Sequence, residues 1–214
     1  MRYLIVCGGK IDKEFGLNEI KTDGIDAIIA ADSGMDFLYE NGVTPDIIVG
    51  DFDSATTNAL EYFERKGQTE IRRLNPIKDD TDTEYAIRLA ISEGARSIVV
   101  LGATGSRIDH VLGNISLLGI GLESGTDICI IDTNNRIRMA DKPVTIEKLA
   151  QYGRFVSLIA VTDDNEVSLK GFKYPVTDYS FDRFTSLGIS NEIVDDQAVV
   201  DIHRGKFIII ESKD

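Results

Sequence analysis

Short apolar runs with no polar alternation constrain this sequence more than any other feature. YLIVC (residues 3–7), AIIAA (Ala27–Ala31), DIIVG (46–50), SIVVL (Ser97–Leu101) and DICIID (127–132) carry apolar, often β-branched side chains at successive positions. A strand with one face in water alternates apolar and polar residues, whereas a strand buried on both faces reads as a continuous apolar run. Segments of helical spacing lie between several of these runs. In TEYAIRLAISEG, Tyr85, Ala86, Leu89 and Ala90 recur at one-turn intervals, and Thr81 with Glu84 forms a T-x-x-E capping pattern, so a helix starts at Thr81 or Asp82. The alternation predicts an α/β domain: a largely parallel sheet with helices on both faces.

The texture changes after Thr133-Asn134-Asn135. Shorter alternating or β-rich runs follow at 154–161, 166–169, 198–203 and 206–211, with turn signals such as His203-Arg204-Gly205 and one weak helical pattern near 146–152. Residues 1–134 are therefore expected to form the α/β domain, and residues 135–214 a smaller antiparallel β domain. About 80 residues bury a marginal core alone, so this second domain should pack against something.

The formal net charge is −13. That argues against the basic stripe needed for nucleic-acid binding and favours cations or metal-bound anions as ligands. No apolar stretch approaches the roughly 18 residues that cross a bilayer, and the first run is too short for a secretory signal, so no membrane association and a cytoplasmic location are expected. Cys7 and Cys129 lie inside apolar runs without CxxC or CxxH neighbours, which predicts reduced, buried thiols and no zinc site.

The chemistry gathers at strand ends. Gly50-Asp51-Phe52-Asp53-Ser54 puts two aspartates at the carboxyl end of a strand, where open parallel sheets bind ligands. If the segment is extended, Asp51 and Asp53 face one side and share a cation while Phe52 turns into the core. A second acidic knot, KDDTDTE (78–84), opens the helix described above; Asp79 or Asp80 alone fits equally well as a solvated helix start. Two converging acidic clusters would repel one another without a divalent metal, and Mg²⁺ suits a few carboxylates plus waters and phosphates. GATGSRIDH (102–110) is another strand-to-helix junction. Its glycines allow close backbone approach, Arg107 can pair with phosphate, and His110 shares a polar helix face with Gly113 and Asn114. At Ala31-Asp32-Ser33-Gly34, Asp32 or Ser33 can cap the next helix and Gly34 can admit a ligand. No GxxxxGK[ST] or GxGxxG occurs, so neither a P-loop nor a dinucleotide fingerprint is present.

Taken in order, ADSG (31–34), GDFDS (50–54), KDDTDTE (78–84), GATGSRIDHVLGN (102–114) and SLGISNE (186–192) resemble the motifs of the bacterial-type thiamine pyrophosphokinase (thiamine diphosphokinase) family over nearly the whole chain. The combination is specific; no single motif is. The resemblance implies a Rossmann-like ATP domain, a β-sandwich for thiamine binding and dimerisation, and a homodimer with thiamine held between the sandwich of one subunit and the α/β domain of the other. It also implies the reaction: ATP and thiamine give thiamine diphosphate and AMP. By the same resemblance Asp51, Asp53 and Asp82 hold Mg²⁺, and with Arg107, on the nucleotide phosphates, they form the catalytic set. Asp32, Ser33, Gly34, Gly102, Thr104, Gly105, Asp109 and His110 complete the nucleotide site. Asp82, Ser190 and Asn191 face thiamine. Animal members stack thiamine on a Trp; this chain has none, and Tyr174 or Phe172 is the candidate substitute. Two alternatives stay open: a pyrophosphokinase for another hydroxymethyl heterocycle such as a pterin, and a non-catalytic Mg²⁺–nucleotide sensor.

Overall fold

A computed structural model of the chain describes residues 1–52, 57–75, 80–105 and 107–214. Asp53, Ser54, Lys78, Asp79 and Ser106 of the motifs above lie outside the described residues. The chain divides into two compact units, Met1–Thr133 and Asn134–Asp214.

In the first unit β1 (Arg2–Val6), α1 (Lys13–Ile20), β2 (Ala27–Ala31), α2 (Gly34–Glu40), β3 (Ile47–Gly50), α3 (Thr57–Lys66), β4 (Glu70–Arg73), α4 (Asp82–Ser92), β5 (Ser97–Leu101), α5 (Ile108–Ser124) and β6 (Asp127–Ile131) follow in turn. All the strands pair in parallel, in the order β6-β5-β1-β2-β3-β4. Successive strand residues point to opposite faces. Leu4 and Val6 join Ala30, Ile48 and Leu101 in one core with Met35 and Leu38 of α2 and Phe63 of α3. Tyr3 and Ile5, on the other face, are equally buried, and α4 packs against β1, β2 and β3. The expected α/β layer is what forms. β4, with the sequence EIRR, lacks the apolar signature because it is the edge strand and stays partly exposed.

Helix α4 begins as its capping pattern predicts: Glu84 N–H donates to Thr81 Oγ1 at 3.2 Å. The Glu84 carboxylate does not complete the reciprocal bond, pairing instead with Arg88 one turn on, at 2.7 Å. The chain lays β1 to β4 outward on one side, then returns to add β5 and β6 on the other. Strand order thus reverses between β1 and β5, the place where such sheets open a ligand crevice.

The second unit holds β7 (Asn135–Ala140), β8 (Val144–Glu147), β9 (Phe155–Ala160), β10 (Glu166–Lys170), β11 (Val176–Ser180), β12 (Asn191–Glu192), β13 (Gln197–Arg204) and β14 (Phe207–Ser212). They form two antiparallel layers, β12-β9-β14-β7 and β11-β10-β13-β8. Val156, Leu158, Phe207 and Ile209 of the first layer share a core with Val167, Leu169, Val200 and Ile202 of the second. This is the expected β-sandwich. The helical pattern near 146–152 is overturned: Val144–Glu147 is strand, and only a single 3₁₀ turn, Lys148–Ala150, follows. Ile146 points into the core as an alternating strand residue, while Leu149, which completed the helical spacing, is fully exposed. Among the described residues no helix is long and apolar enough to cross a membrane. Both cysteines are free thiols, Cys7 buried and Cys129 half-buried.

Candidate active site

The loops leaving β1, β2 and β5, with the first turns of α4 and α5, surround a cavity of about 560 Å³ at the point of strand-order reversal. Hydrogen bonds join two of these loops: Cys7 N–H donates to the Leu101 carbonyl (2.8 Å) and Gly9 N–H to the Gly102 carbonyl (2.9 Å). A Cβ on Gly9 would collide with the carbonyls of Gly102 and Thr104, and one on Gly102, which sits at φ 68°, with the Cys7 carbonyl. Only glycine permits this approach. From α5, Asn114 Nδ2 donates to the Ala103 carbonyl (2.9 Å), and Thr104 Oγ1 donates to Asp132 (2.7 Å), so the β5 loop is held from both sides. Thr83 Oγ1 donates to Cys7 Sγ at 3.4 Å. Burial pushes the Cys7 thiol up to about 11; the Thr83 bond opposes that shift and the Asp82 charge adds to it. Cys7 is therefore a neutral packing group on the cavity wall.

Asp32, Asp51 and Asp82, all half-buried, each bring one carboxylate oxygen within 4.8 Å of the other two. They arrive from the ends of β2 and β3 and the start of α4. An oxygen shell at about 2.0–2.1 Å around Mg²⁺ separates its oxygens by roughly 3–4 Å, so small side-chain adjustments close this all-oxygen set around one hard cation. The backbone aims them under strain. Asp32 (φ 48°) and Phe52 (φ 67°) are non-glycine residues in the left-handed region, a conformation that costs on the order of 1 kcal/mol and concentrates at ligand sites.

Phe52 itself sits in the left-handed region, φ 67°, rather than in an extended conformation, and the Asp53 half of the expected pair lies outside the described residues. The Phe52 ring packs on the core, as expected, with the Arg73 guanidinium 5.4 Å from its centroid. Asp32, expected at the nucleotide, lines the cavity and also stands among the carboxylates. Ser33 occupies the N-cap position of α2 without a side-chain capping bond.

Of the other residues expected at the nucleotide, Ser33, Gly102, Asp109 and His110 line the cavity, and Gly34, Thr104, Gly105 and Arg107 stand outside the lining. Arg107 is the largely exposed N-cap residue of α5, and its Nε donates to Asp109 Oδ1 at 3.1 Å. That hydrogen bond holds the Asp109 carboxyl below the usual carboxylate range.

In the second unit Asn191 is buried and its amide is largely engaged. Oδ1 accepts from the N–H groups of Tyr174 (3.1 Å) and Glu192 (3.0 Å), and Nδ2 donates to the Tyr174 carbonyl (2.9 Å). Ser190 is held in the left-handed region, φ 60°, with its N–H donating to Ser157 Oγ (2.9 Å). Tyr174 is 63% exposed and Phe172 only 3%, so of the two aromatic candidates Tyr174 is the accessible one, with the Lys173 ammonium 5.6 Å from its ring centroid.

Residues 21–130 match the family model described as thiamin pyrophosphokinase, catalytic domain, and residues 143–207 the one described as thiamin pyrophosphokinase, vitamin B1 binding domain. The chain belongs to the thiamine pyrophosphokinase family. It is 34% identical to the thiamine pyrophosphokinase of Bacillus subtilis (strain 168) over 188 residues, 87% of each chain. A crystal structure of thiamine pyrophosphokinase from Bacillus subtilis superposes with a TM-score of 0.89 at 32% identity, covering 100% of both chains. The thiamin pyrophosphokinase of Geobacillus thermodenitrificans superposes with a TM-score of 0.86 at 29% identity, covering 100% of this chain and 98% of that one.

The carboxylate cluster falls inside the catalytic match of this family, and Tyr174, Ser190 and Asn191 inside the vitamin B1 binding match. Gly8 and Gly9 precede both matches, yet they line the cavity. Sequence reasoning passed over them; the available signal was a glycine pair directly after the first apolar run.

Proposed function

We propose that this chain is a thiamine diphosphokinase, which transfers the diphosphoryl group of Mg²⁺–ATP to the hydroxyl of thiamine and releases AMP. The observation that carries this reading is the convergence of Asp32, Asp51 and Asp82 beside a cavity at the strand-order reversal, in a chain of this family. In the reaction the thiamine oxygen forms a bond to the β-phosphorus, the bond from that phosphorus to the α–β bridging oxygen breaks, and the hydroxyl proton leaves to a nearby base or solvent. Catalysis is then mostly alignment and charge neutralisation.

Asp32, Asp51 and Asp82 are the proposed holders of the cation, joined by Asp53 on the strength of its motif. The bound Mg²⁺ would supply charge neutralisation on the phosphates. The glycine-lined β1 and β5 loops leave room for phosphates near the backbone, with Asp109 and His110 on the same cavity wall and Arg107 as a rim cation. Asp82 also suits orientation of the thiamine hydroxyl. The Ser190 hydroxyl and the Tyr174 ring are the proposed thiamine contacts, and an aromatic face suits a permanently cationic thiazolium. Asn191, with its amide bound to the Tyr174 N–H and carbonyl, serves by fixing the backbone that carries that ring.

Large apolar side chains at the surface, Phe184 (90% exposed), Leu187 and Ile189, support a homodimer. Free thiols support a cytoplasmic location. The decisive experiment is an assay for AMP. Release that needs thiamine, ATP and Mg²⁺ together supports the reading. Release driven by a hydroxymethyl pterin and indifferent to thiamine replaces the substrate, and nucleotide binding without turnover with either compound makes the protein a sensor.

A further inference from the structure

We propose that Lys10 holds the phosphates of the nucleotide from the β1 side of the cavity. The inference rests on the diphosphokinase reading above. Among the described residues, the charged side chains that line the cavity are, apart from His110, acidic: Asp32, Asp82, Glu84 and Asp109. A nucleoside triphosphate brings about four negative charges, of which a single divalent cation offsets about half. A cation at the rim would supply part of the remaining counter-charge.

The arginines in neighbouring elements are already engaged. Arg88 is bound to Glu84 at 2.7 Å, Arg73 to Glu64 at 2.6 Å, and Arg107 to Asp109. Lys10 directly follows Gly8 and Gly9, which line the cavity. Its base is held against the β5 loop: a Cβ added to Gly105 would stand 3.3 Å from Lys10 Cβ and 3.4 Å from its carbonyl oxygen. Its side chain is exposed, and among the described residues it takes part in no hydrogen bond or ion pair. A compact ammonium on a flexible four-carbon stem suits a phosphate as a point charge. Lys10 stands on the loop that leaves β1, one of the two loops that flank the strand-order reversal.

The test measures binding without thiamine, so it does not depend on turnover. Calorimetric titration of the full chain with Mg²⁺–tripolyphosphate, and separately with adenosine, compares the parent protein with Lys10→Ala and Lys10→Arg, after thermal melting has shown that both variants fold. The expected result is a dissociation constant for tripolyphosphate raised about tenfold in Lys10→Ala, the size of one charge-assisted hydrogen bond, and largely restored in Lys10→Arg, with adenosine binding unchanged. Unaltered tripolyphosphate binding in Lys10→Ala overturns the proposal. An equal loss for adenosine also overturns it, because a merely structural residue would weaken both ligands. If tripolyphosphate binding depends on Lys10 while the parent protein releases no AMP with thiamine, the proposed reaction fails and the role of Lys10 stands.

Discussion

Glu211, on β14, is wholly buried, and the second unit closes two arginines around it. Arg136 on the paired strand β7 donates from Nε (2.9 Å) and Nη2 (2.7 Å), Arg138 adds a further bond, and the Tyr152 N–H donates at 2.9 Å. At the carboxyl end of the first unit's sheet, Asp32, Asp51 and Asp82 face one another. One carboxylate is thus neutralised by cations built into its own fold, while three others are brought together as like charges, Asp32 itself on left-handed backbone. Pairing completes the first arrangement during folding. Under the function proposed above, the second is completed by a bound cation, which would relieve the repulsion among its like charges.

The largest expected effect tests the closed arrangement. Glu211→Gln leaves two guanidinium groups beside a neutral amide and should lower unfolding stability by about 3–5 kcal/mol in urea titrations, toward the lower end because both arginines reach solvent. A loss below about 1 kcal/mol would mean that water satisfies the arginines and the comparison breaks.

Next comes the open arrangement, where Asn in place of Asp32, Asp51 or Asp82 keeps the shape and removes a charge. We expect kcat to fall at least about 100-fold while the metal-free variant stays as stable as the parent or gains stability. Activity and metal-free stability falling together would recast the cluster as structural.

A smaller effect follows from adding the ion. Free Mg²⁺ at about ten times its dissociation constant should stabilise the parent protein by about 1.4 kcal/mol and leave the triple Asn variant unmoved, as read by thermal melting. A rise of equal size in both proteins would place the ion elsewhere.

The smallest expected effect is on pH. Burial pushes the Glu211 carboxyl up, but the hydrogen bond from Arg136, the Tyr152 N–H and the Arg138 charge outweigh it and hold the group below the usual range. A folded value below the unfolded one, about 4.3, gives stability that is fully present above that pH and is lost as pH falls through the folded value. Stability should therefore drop more steeply below about pH 4 in the parent than in Glu211→Gln, and parallel curves would contradict the assignment.

Most of the first unit's sheet was legible because strands buried on both faces must be continuously apolar, and β4 was missed because an edge strand need not be. The cap of α4 was legible at Thr81 because capping is local hydrogen-bond chemistry. β8 was misread because a four-residue strand beside an exposed Leu149 mimics one helical turn.

The sequence by itself determined the two textures, the strand-end positions of Asp32 and Asp51 and the helix-start position of Asp82, since these follow from periodicity and local turn chemistry. Only the tertiary structure brought Asp32 to Asp51 and Asp82. That meeting depends on the order in which β2 and β3 pair, on α4 packing across them, and on left-handed turns at Asp32 and Phe52 that no local preference of those residues requires. The same holds for Gly9 against Gly102 and for Asn191 around Tyr174, contacts between segments distant along the chain, whose geometry is set by strand pairing and packing.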